Sequence, residues 1–269
     1  MKYIILCAGQ GTRLRPLTDH VPKCMVELLG KPLLRHQMDT LSQCGATDVS
    51  LVTGYAAPSL AGWGTRHFHN GDFATTNMVV SLFAARALFD GVDDLIVAYS
   101  DIVYEPRVLD ALARAPGPLA TVIDRNWLDL WSTRMADPLA DAETLRLNAD
   151  GTLREIGLKP QSLDDIEGQY IGLTKISAEA QRGVLAHYDG LARDGSYDGR
   201  GFDQMFMTSF LTGLMAAGFP IHAAMTDSGW LEVDTVEDLS NYEAMHKRGD
   251  LARLWKPIAD ERPDSHGAA

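Results

Sequence analysis

Apolar segments alternate with amphipathic ones through the first 125 residues of the chain, and this alternation restricts the fold more than any other feature of the sequence. Four segments have the length and the Val, Ile and Leu content of buried strands: Lys2–Cys7, Val49–Thr53, Leu95–Tyr99 and Leu119–Asp124. Three segments between them have helical periodicity: Leu33–Cys44, Asn77–Leu88 and Pro106–Arg114. This order predicts an α/β fold with a doubly wound, mostly parallel, Rossmann-like sheet and helices on both of its faces.

The pattern changes after residue 125. Asp150-Gly151 separates Thr144–Leu147 from Leu153–Gly157, which predicts a β-hairpin, and a strand at Tyr170–Ser177 and two helices follow. We expect residues 1–255 to form a single domain, with a hairpin and helical lobe inserted on the sheet at about 125–230. The segment 256–269 is rich in Pro, Asp, Gly and Ala, so we expect a flexible tail.

The net charge of −12 disfavours general nucleic-acid binding, because phosphate backbones bind basic surfaces. The charge is unevenly distributed, however. Met1 to Arg35 contains six basic residues and only two acidic ones. A locally cationic segment in an anionic protein indicates a small pocket for an anion such as a triphosphate.

Several features indicate a cytoplasmic protein with no membrane partner. No apolar run is long enough to span a bilayer, and the first residues lack the longer apolar region and cleavage site of a signal peptide. The three cysteines form no CxxC pair, which is typical of reduced thiols in the core. The sequence leaves the oligomeric state open, and a homodimer is one expectation.

A glycine loop, Cys7 to Leu14, follows the first strand, at the place where doubly wound folds bind phosphates. Its two glycines allow backbone N–H groups to approach an anion. The dinucleotide fingerprint requires a third glycine where this chain has Leu14, and an acid at the end of the second strand, where it has Thr53-Gly54-Tyr55. A nicotinamide dehydrogenase is therefore disfavoured, and the P-loop motif is absent.

Four short motifs lie in order along the chain, and the first of them is in the glycine loop itself: Gly9-x-Gly11-x-Arg13, Pro16-Leu17-Thr18, Pro22-Lys23 and Gly30-Lys31-Pro32. With these pieces at these separations, the chain resembles the sugar-phosphate nucleotidyltransferase superfamily. The resemblance implies that Arg13 and Lys23 are catalytic, holding the phosphates and stabilising charge on the reacting phosphorus and on the leaving pyrophosphate. The remaining residues that we assign to the nucleotide in this region are Leu6, Ala8, Gly9, Gly11, Thr12, Gly54 and Tyr55.

Two aspartates occupy positions that the resemblance assigns to a metal. Asp101, which we also count among the catalytic residues, follows the strand Leu95–Tyr99, and Asp234 precedes the last predicted helix. In similar nucleotidyltransferases two such aspartates hold Mg²⁺ between the triphosphate and the incoming phosphate, and carboxylates are suitable ligands for this ion. Thr235 and Asp238 have the spacing of a helix-capping pair, which leaves Asp234 free for the metal.

The acceptor side carries a weaker likeness. Lys159, in Gly-Leu-Lys-Pro, matches the lysine of the family's Glu-Lys-Pro motif, which binds the acceptor phosphate. Leu158 replaces the acid of that motif. The other residues that we assign to the acceptor are Arg125, Tyr170, Gly172 and Trp230. Trp127, Trp131, Tyr170 and Trp230 would together suit a quaternary ammonium group. Asp129 or Asp137 would instead suit a primary amine, and the sequence does not choose between these arrangements.

The segment around Asn77 and Ser81 indicates the branch within the superfamily. It lacks the Gly-Thr-Ala stretch of sugar nucleotidyltransferases and resembles phosphocholine, inositol-phosphate and phosphonate cytidylyltransferases. The resemblance implies transfer of CMP from CTP to a phosphate or phosphonate acceptor, with Asn77 and Ser81 contacting the nucleotide. Phosphocholine, 2-aminoethylphosphonate, inositol phosphate and a phosphorylated amino acid remain open as acceptors. The alternatives are another NTP with a sugar 1-phosphate, or a nucleotide-binding module without turnover.

Overall fold

The computed structural model describes residues 1–259. Its strands are β1 (Lys2–Cys7), β2 (Glu27–Leu28), β3 (Lys31–Pro32), β4 (Val49–Thr53), β5 (Arg66–His69), β6 (Leu95–Tyr99), β7 (Ile102–Tyr104), β8 (Leu119–Asp124), β9 (Leu145–Leu147), β10 (Leu153–Ile156), β11 (Gln169–Ile176), β12 (Ser196–Tyr197), β13 (Arg200–Gly201), β14 (Ile221–Thr226) and β15 (Trp230–Glu232). Its α-helices are α1 (Leu33–Gln43), α2 (Met78–Ala84), α3 (Pro106–Arg114), α4 (Trp127–Arg134), α5 (Gln181–Gly190), α6 (Met207–Ala216) and α7 (Val236–Arg248).

A seven-stranded sheet in the order β14-β8-β11-β6-β1-β4-β5 forms the centre of the molecule. β1 pairs in parallel with β4 and β6, and β14 pairs in parallel with β8, whereas β11 is antiparallel to both of its neighbours. The sheet is therefore mostly parallel, as the sequence predicts. The carboxyl ends of β1 and β6 lie side by side at one edge, where open α/β sheets bind ligands.

Both faces of the sheet are buried, which is why its strands have near-continuous apolar sequences. In β1, Tyr3 and Ile5 face a core cluster shared with α1, α3, α4 and α7. Ile4 and Leu6 face a second cluster, shared with α2, α5 and α6. Alternate residues of one strand thus supply the two cores that fix its position.

Residues 125–230 form only in part the inserted lobe that the sequence suggests. The hairpin β9–β10 has the expected antiparallel pairing around the Asp150-Gly151 turn. β11 and β14, however, belong to the central sheet, where they flank β8 on its two sides. β11 lies between β8 and β6 in the sheet and is antiparallel to both, although it follows both in the chain. The order of the strands in the sequence therefore does not predict its place in the sheet.

Two of the elements that were not expected from the sequence are β5 and α4. β5 is an edge strand that pairs with β4 alone among the described strands, and its mostly exposed side chains have no apolar pattern. α4 buries Trp127, Leu130, Trp131 and Arg134, whose spacing of three, four and seven residues is the helical signal that we did not use.

A two-stranded ribbon lies beside the carboxyl edge of the main sheet. β15 pairs antiparallel with β7, with Glu232 opposite Ile102, and the Val233 N–H donates to the Asp101 carbonyl at 2.9 Å. This pairing brings a segment near residue 232 against the end of β6.

In the described part of the chain, no helix has the combination of length and apolar character that crossing a membrane requires. Of the tail expected at 256–269, residues 260–269 lie outside the described residues.

Candidate active site

The glycine loop and Lys23 form one wall of a crevice at the carboxyl end of β1. Gly11 has a φ of 71°, and a Cβ atom there would lie 2.9 Å from the Cβ of Lys23. A side chain at position 11 would therefore displace the lysine, which explains the glycine. Lys23 starts a short 3-10 helix after Pro22, and its N–H approaches the Gly9 carbonyl at 3.4 Å.

The crevice has two adjoining parts that share Lys23 and Phe73. One part, of about 140 Å³, is lined by the residues Leu6, Ala8, Gly9, Lys23, Phe73, Thr76, Asn77, Met78, Ser81, Tyr99, Ser100 and Asp101. The other, of about 410 Å³, is lined by Gln10, Gly11, Thr12, Arg13, Lys23, Phe73, Ala74 and Asp234. Most of the residues that the sequence assigns to the nucleotide thus lie on one continuous surface.

Of the residues assigned to the nucleotide, Gly54 and Tyr55 are not among those that line the crevice, whereas Asn77 and Ser81 line it and also make contacts of their own. A Cβ at Gly54 would lie 2.8 Å from the Ala8 carbonyl oxygen, so Gly54 supports the loop from behind. The Tyr55 hydroxyl donates to the Asp19 carbonyl. Asn77 caps α2 by accepting from the Met78 N–H at 2.8 Å, whereas the Ser81 hydroxyl accepts from Asn70 at 3.0 Å and retains its own proton to donate.

Three carboxylates from distant parts of the chain converge beside this loop. Asp101 follows β6, Glu232 ends β15 and Asp234 precedes α7. The β7–β15 ribbon joins them, and their ligand oxygens lie within 4.8 Å of one another. Extended residues two apart point to the same side, so the side chains of Glu232 and Asp234 lie on the same side of this segment.

Positive side chains hold this carboxylate group from the crevice side. Lys23 Nζ donates to Asp101 Oδ2 at 2.7 Å and also to Asp234 Oδ1. Arg13 Nη2 lies 2.9 Å from Asp234 Oδ1, and the Arg13 side chain is 63% exposed, whereas that of Lys23 is 11% exposed. Both predicted catalytic cations therefore contact the predicted metal carboxylates.

The charges of the cluster shift the pKa values of its members. Burial disfavours the Lys23 ammonium, but Asp101 and Asp234 outweigh burial and raise its pKa. Burial also opposes ionisation of Asp234, yet Lys23, Arg13 and Arg134 hold its pKa below the usual value. Burial and the neighbouring Asp234 raise the pKa of Glu232 to about 8, although Arg134 acts in the opposite direction.

Arg134 contacts the same group from the protein interior. Its guanidinium donates to Glu232 Oε2, to Asp234 Oδ2 at 2.9 Å and to Asp238 Oδ1 at 3.2 Å. Asp238 forms the predicted capping box with Thr235 at the start of α7. The backbone N–H of Asp234 also donates to Asp238, at 2.8 Å.

This carboxylate group has the composition of a site for a hard divalent cation. Oxygen ligands at short mutual distances are what Mg²⁺ binds in proteins. The second oxygen of Asp101, Oδ1, is buried and has no hydrogen-bond partner among the described residues. A buried carboxylate oxygen without a donor is costly unless a cation contacts it, so the residues fit a metal.

Two tyrosines lie beyond Asp101 on the expected acceptor side. The rings of Tyr99 and Tyr170 meet edge to face with centroids 5.8 Å apart. Gly172 has a φ of 80°, and a Cβ there would lie 2.4 Å from Tyr99 Cδ2. Gly172 therefore acts by making room for Tyr99, which lines the crevice.

Glu143 is an acid in this region that the sequence did not indicate. Its backbone exchanges hydrogen bonds with the side chain of Gln169, the residue before Tyr170. Its carboxylate accepts no hydrogen bond from any described residue, and it influences the pKa values of both Tyr99 and Tyr170. Burial, with help from Asp141 and Asp198, raises the pKa of Glu143 to about 7.

Two predicted acceptor residues are engaged elsewhere. Arg125 forms a bidentate ion pair with Asp227, in which Nε donates to Oδ1 at 2.9 Å and Nη2 donates to Oδ2 at 2.8 Å. The Lys159 ammonium donates to the carbonyls of Leu139 and Ala140. None of these hydrogen bonds reaches a residue of the crevice.

The assignment of Trp230 to the acceptor, and the aromatic cage that includes it, are not supported by the structure. Trp230 is 1% exposed, and its indole N–H donates to Asp124 Oδ2 at 2.8 Å. Trp127 and Trp131 are each 4% exposed and pack in the same cluster. Large aromatic side chains bury most of their area in a core, and that effect places these three inside the molecule.

Some residues of the site carried signals in the sequence that we did not use. Glu232 lies two residues before Asp234, which is the spacing of a shared face in an extended segment. Arg134 continues the helical spacing of Trp127, Leu130 and Trp131. Phe73 had no such signal, because tertiary contacts alone bring it to the crevice.

A larger groove, of about 1120 Å³, lies elsewhere, between α1 and α3. Its arginines are paired with neighbouring acids, Arg35 with Asp39 and Arg107 with Glu105. It has neither a glycine loop nor a group of facing carboxylates among the described residues, so we place the site in the smaller crevice.

Residues 3–157 of the chain match the family model of the MobA-like NTP transferase domain. The chain is 39% identical over 248 residues to a CTP:phosphoglutamine cytidylyltransferase from Campylobacter jejuni, and this match covers 89% of the chain and 98% of the relative. It is 31% identical over 163 residues to a CMP-5'-(3-aminopropyl)phosphonate synthase from Streptomyces rubellomurinus, covering 58% of the chain and 24% of that protein.

The fold is shared with solved nucleotidyltransferases. The structure of CTP:phosphocholine cytidylyltransferase from Streptococcus pneumoniae superposes with a TM-score of 0.66 at 20% identity, over 91% of this chain and 98% of that one. The mixed α/β architecture with a mostly parallel sheet is therefore confirmed.

Proposed function

This chain belongs to the MobA-like NTP transferase family, and we propose that it is a cytidylyltransferase that moves CMP from CTP to a small phosphorylated acceptor and releases pyrophosphate. The relative matched along nearly its whole length acts on phosphoglutamine by name. We take phosphoglutamine, or a closely similar phosphorylated amino acid, as the acceptor.

The observation that carries this function is the convergence of Lys23 and Arg13 with three carboxylates beside the glycine loop. Two like charges about 4 Å apart repel by about 4 kcal/mol at an effective dielectric constant near 20. A triphosphate and a second phosphate bring several such pairs together. Positive groups already held at their meeting point reduce that repulsion.

The reaction needs no covalent enzyme intermediate. An oxygen of the acceptor phosphate attacks the α-phosphorus of CTP, the bond from that phosphorus to the bridging oxygen breaks, and pyrophosphate leaves. Lys23 and Arg13 bind the phosphate oxygens on which negative charge increases. The backbone N–H groups of the glycine loop position the triphosphate for attack in line with the leaving group.

We propose Mg²⁺ as the metal of the carboxylate group. Asp101, Glu232 and Asp234 would hold it, and when bound it supplies positive charge that screens the facing phosphates. Two observations support this metal: the carboxylate oxygens lie close to one another, and Asp101 Oδ1 has no hydrogen-bond partner among the described residues.

Glu143 supports an amino-acid acceptor. Phosphoglutamine carries an α-ammonium group, and Glu143 is a half-buried carboxylate without a hydrogen-bond partner among the described residues, next to the tyrosine pair of the crevice. A buried charge needs a partner of opposite sign. The acceptor's ammonium would be that partner.

We further propose that the enzyme acts in the cytoplasm, since Cys7, Cys24 and Cys44 are all free thiols. A homodimer stays a prediction, which light scattering of the purified protein tests.

A matrix of nucleotides and acceptors tests the proposed function. We expect pyrophosphate release with CTP and phosphoglutamine in the presence of Mg²⁺, and at least about tenfold lower kcat/KM with UTP, GTP or dTTP, or with phosphocholine or a sugar 1-phosphate, since tenfold discrimination needs about 1.4 kcal/mol. Equal or better turnover with another NTP and a sugar 1-phosphate would contradict the cytidylyltransferase. Tight CTP binding without product from any acceptor would indicate a binding module.

Lys23→Ala tests whether the observed activity arises in this crevice. Loss of one group that stabilises charge in the transition state lowers kcat by about 10²- to 10³-fold. Lys247→Ala is the matched control, since it removes an exposed lysine in the last turn of α7. Undiminished turnover of a folded Lys23→Ala protein would show that the chemistry occurs elsewhere.

A further inference from the structure

We propose that Arg134 is a positioning residue, which holds Glu232 and Asp234 in the arrangement that binds the catalytic cation. Its guanidinium contacts both of these carboxylates and also Asp238. This role rests on the proposed function, since it concerns the metal of the same site.

Electrostatic repulsion drives the three carboxylates apart when all of them are ionised. Asp101, Glu232 and Asp234 bring ligand oxygens within 4.8 Å of one another. At an effective dielectric constant near 20, each pair of such charges repels by several kcal/mol, so the group would spread apart without cations between its members. Lys23, Arg13 and Arg134 supply those cations.

The three cations differ in position. Lys23 and Arg13 line the crevice, where the CTP phosphates would bind under the proposed function. The Arg134 side chain is only 3% exposed and approaches from the interior. When Lys23 and Arg13 turn to the phosphates, Arg134 is the cation that stays on the carboxylates.

Arg134 is itself held in place by its neighbours. It is the last residue of α4, and its guanidinium lies over the Trp131 ring at 5.4 Å. Asp238, its third partner, also accepts from the backbone N–H groups of Asp234 and Thr235. Arg134 is therefore fixed to α4 and to the start of α7, and it transmits their positions to the carboxylates. Groups that orient metal ligands in this way are worth about 10- to 100-fold in metal affinity.

Arg134→Lys keeps the charge but cannot form three separate contacts in a planar fork. We expect the dissociation constant for Mn²⁺, measured by electron paramagnetic resonance with CTP and no acceptor, to rise about 10- to 100-fold. We expect kcat to return toward the wild-type value at saturating Mg²⁺. Arg114→Lys, an exposed arginine paired with Asp110 on α3, is the matched control and should leave both values unchanged.

A purely structural role would lower the melting temperature of Arg134→Lys and leave the Mn²⁺ affinity of the folded protein unchanged. That result would overturn the proposal, as would wild-type protein that transfers CMP but binds no Mn²⁺. Wild-type protein that binds Mn²⁺ but forms no CMP product would refute the proposed function, while the affinity ratio would still decide the role of Arg134.

If Arg134→Lys does not fold, a second pair of variants tests the same role of Arg134. Glu232→Gln removes one of the carboxylates that Arg134 balances, and Glu232→Gln with Arg134→Met removes the cation as well. If Arg134 positions Asp234, the double variant should bind Mn²⁺ at least about tenfold more weakly than Glu232→Gln alone. Equal affinities of the two variants would overturn the proposal.

Discussion

At the scale of single residues, Lys23 shows how position creates reactivity. A lysine after proline in a loop would ordinarily be solvated. Here Gly11 lets it pack against the glycine loop, and its ammonium bridges Asp101 and Asp234. The acids raise its pKa, so Lys23 stays charged, which suits the proposed role of a phosphate-binding cation and not that of a base.

Glu143 makes the stability of the protein depend on pH. Its pKa is raised from 4.5 to about 7 by burial and by the acids Asp141 and Asp198, so the fold favours the protonated form. The stability that this form contributes is fully present below about pH 4.5 and is lost as the pH rises through about 7. We expect Glu143→Gln to raise the free energy of unfolding at pH 8 by on the order of 1 to 3 kcal/mol, and to change it little at pH 4.

Urea unfolding of the wild type and Glu143→Gln at the two pH values measures this difference. Glu155→Gln removes the same charge from β10, in the hairpin that follows Glu143, and corrects for the change in net charge. A gain that is equal at pH 4 and pH 8 would show that Glu143 is not held in its protonated form. Saturation with the acceptor should reduce the difference, because an ammonium partner favours the ionised carboxylate.

At the scale of elements, β11 joins the sheet to the acceptor side. Its pairing with β8 shifts register between Tyr170 and Thr174, and Gly172 lies within this irregular stretch. The irregularity, with the positive φ of Gly172, leaves space for the Tyr99 ring at the end of β6. One glycine in a strand thus shapes the wall of a crevice formed by its neighbour.

Gly172→Ala tests this coupling between β11 and Tyr99. A Cβ atom at 2.4 Å from the ring, on a backbone with a φ of 80°, must displace one of the two. We expect the free energy of unfolding to fall by about 1 to 3 kcal/mol and the KM for CTP or acceptor to rise. Denaturant unfolding and steady-state kinetics measure the two effects.

Gly190→Ala is the control for that substitution, because a Cβ atom at the end of α5 meets nothing within 4 Å. If Gly172→Ala were as stable and active as this control, the strand would be more tolerant than its geometry indicates, and Tyr99 would have no role in substrate binding.

At the scale of the whole molecule, a cluster of three tryptophans connects the sheet, α4 and the β7–β15 ribbon. Trp131 packs against Trp127 and Trp230, and Trp230 is bound to Asp124 at the end of β8. Asp124 also accepts from the backbone of Asn126 and Ser228. The cluster therefore fixes the helix of Arg134 and the strand of Glu232 to the same sheet edge.

Trp230→Phe distinguishes this packing role from the acceptor role that the sequence suggested. It leaves Asp124 Oδ2 without its buried donor and removes part of the packed indole. We expect the free energy of unfolding to fall by about 2 to 4 kcal/mol, with little change in the KM for the acceptor. A raised acceptor KM at unchanged stability would restore the acceptor assignment.

Trp63→Phe is the control for the loss of an indole, since Trp63 is partly exposed and its indole N–H has no partner among the described residues. Thermal unfolding of the two variants, followed by circular dichroism, gives the comparison.

The sequence by itself determined the parallel core and the composition of the glycine loop, which we propose binds phosphate. Strand and helix periods in β1, α1, β4, β6, α3 and β8 arise from local packing rules, so their bounds were predictable within a few residues. The spaced pieces from Gly9 to Lys23 were also local, because a loop of fixed length must place its glycines and cations together. Asp101 and Asp234 could be named as a pair only through their resemblance to a family.

The tertiary structure alone decided which distant side chains meet. Glu232 reaches Asp101 through the register of the β7–β15 ribbon, Arg134 reaches both carboxylates through the packing of α4 on α7, and Trp230 turns inward because its indole N–H finds Asp124. These outcomes depend on long-range burial and on pairing of buried charges, which a local pattern does not encode. For that reason the loop and cations of the proposed nucleotide site were largely visible in the sequence, and the interior support of the three carboxylates was not.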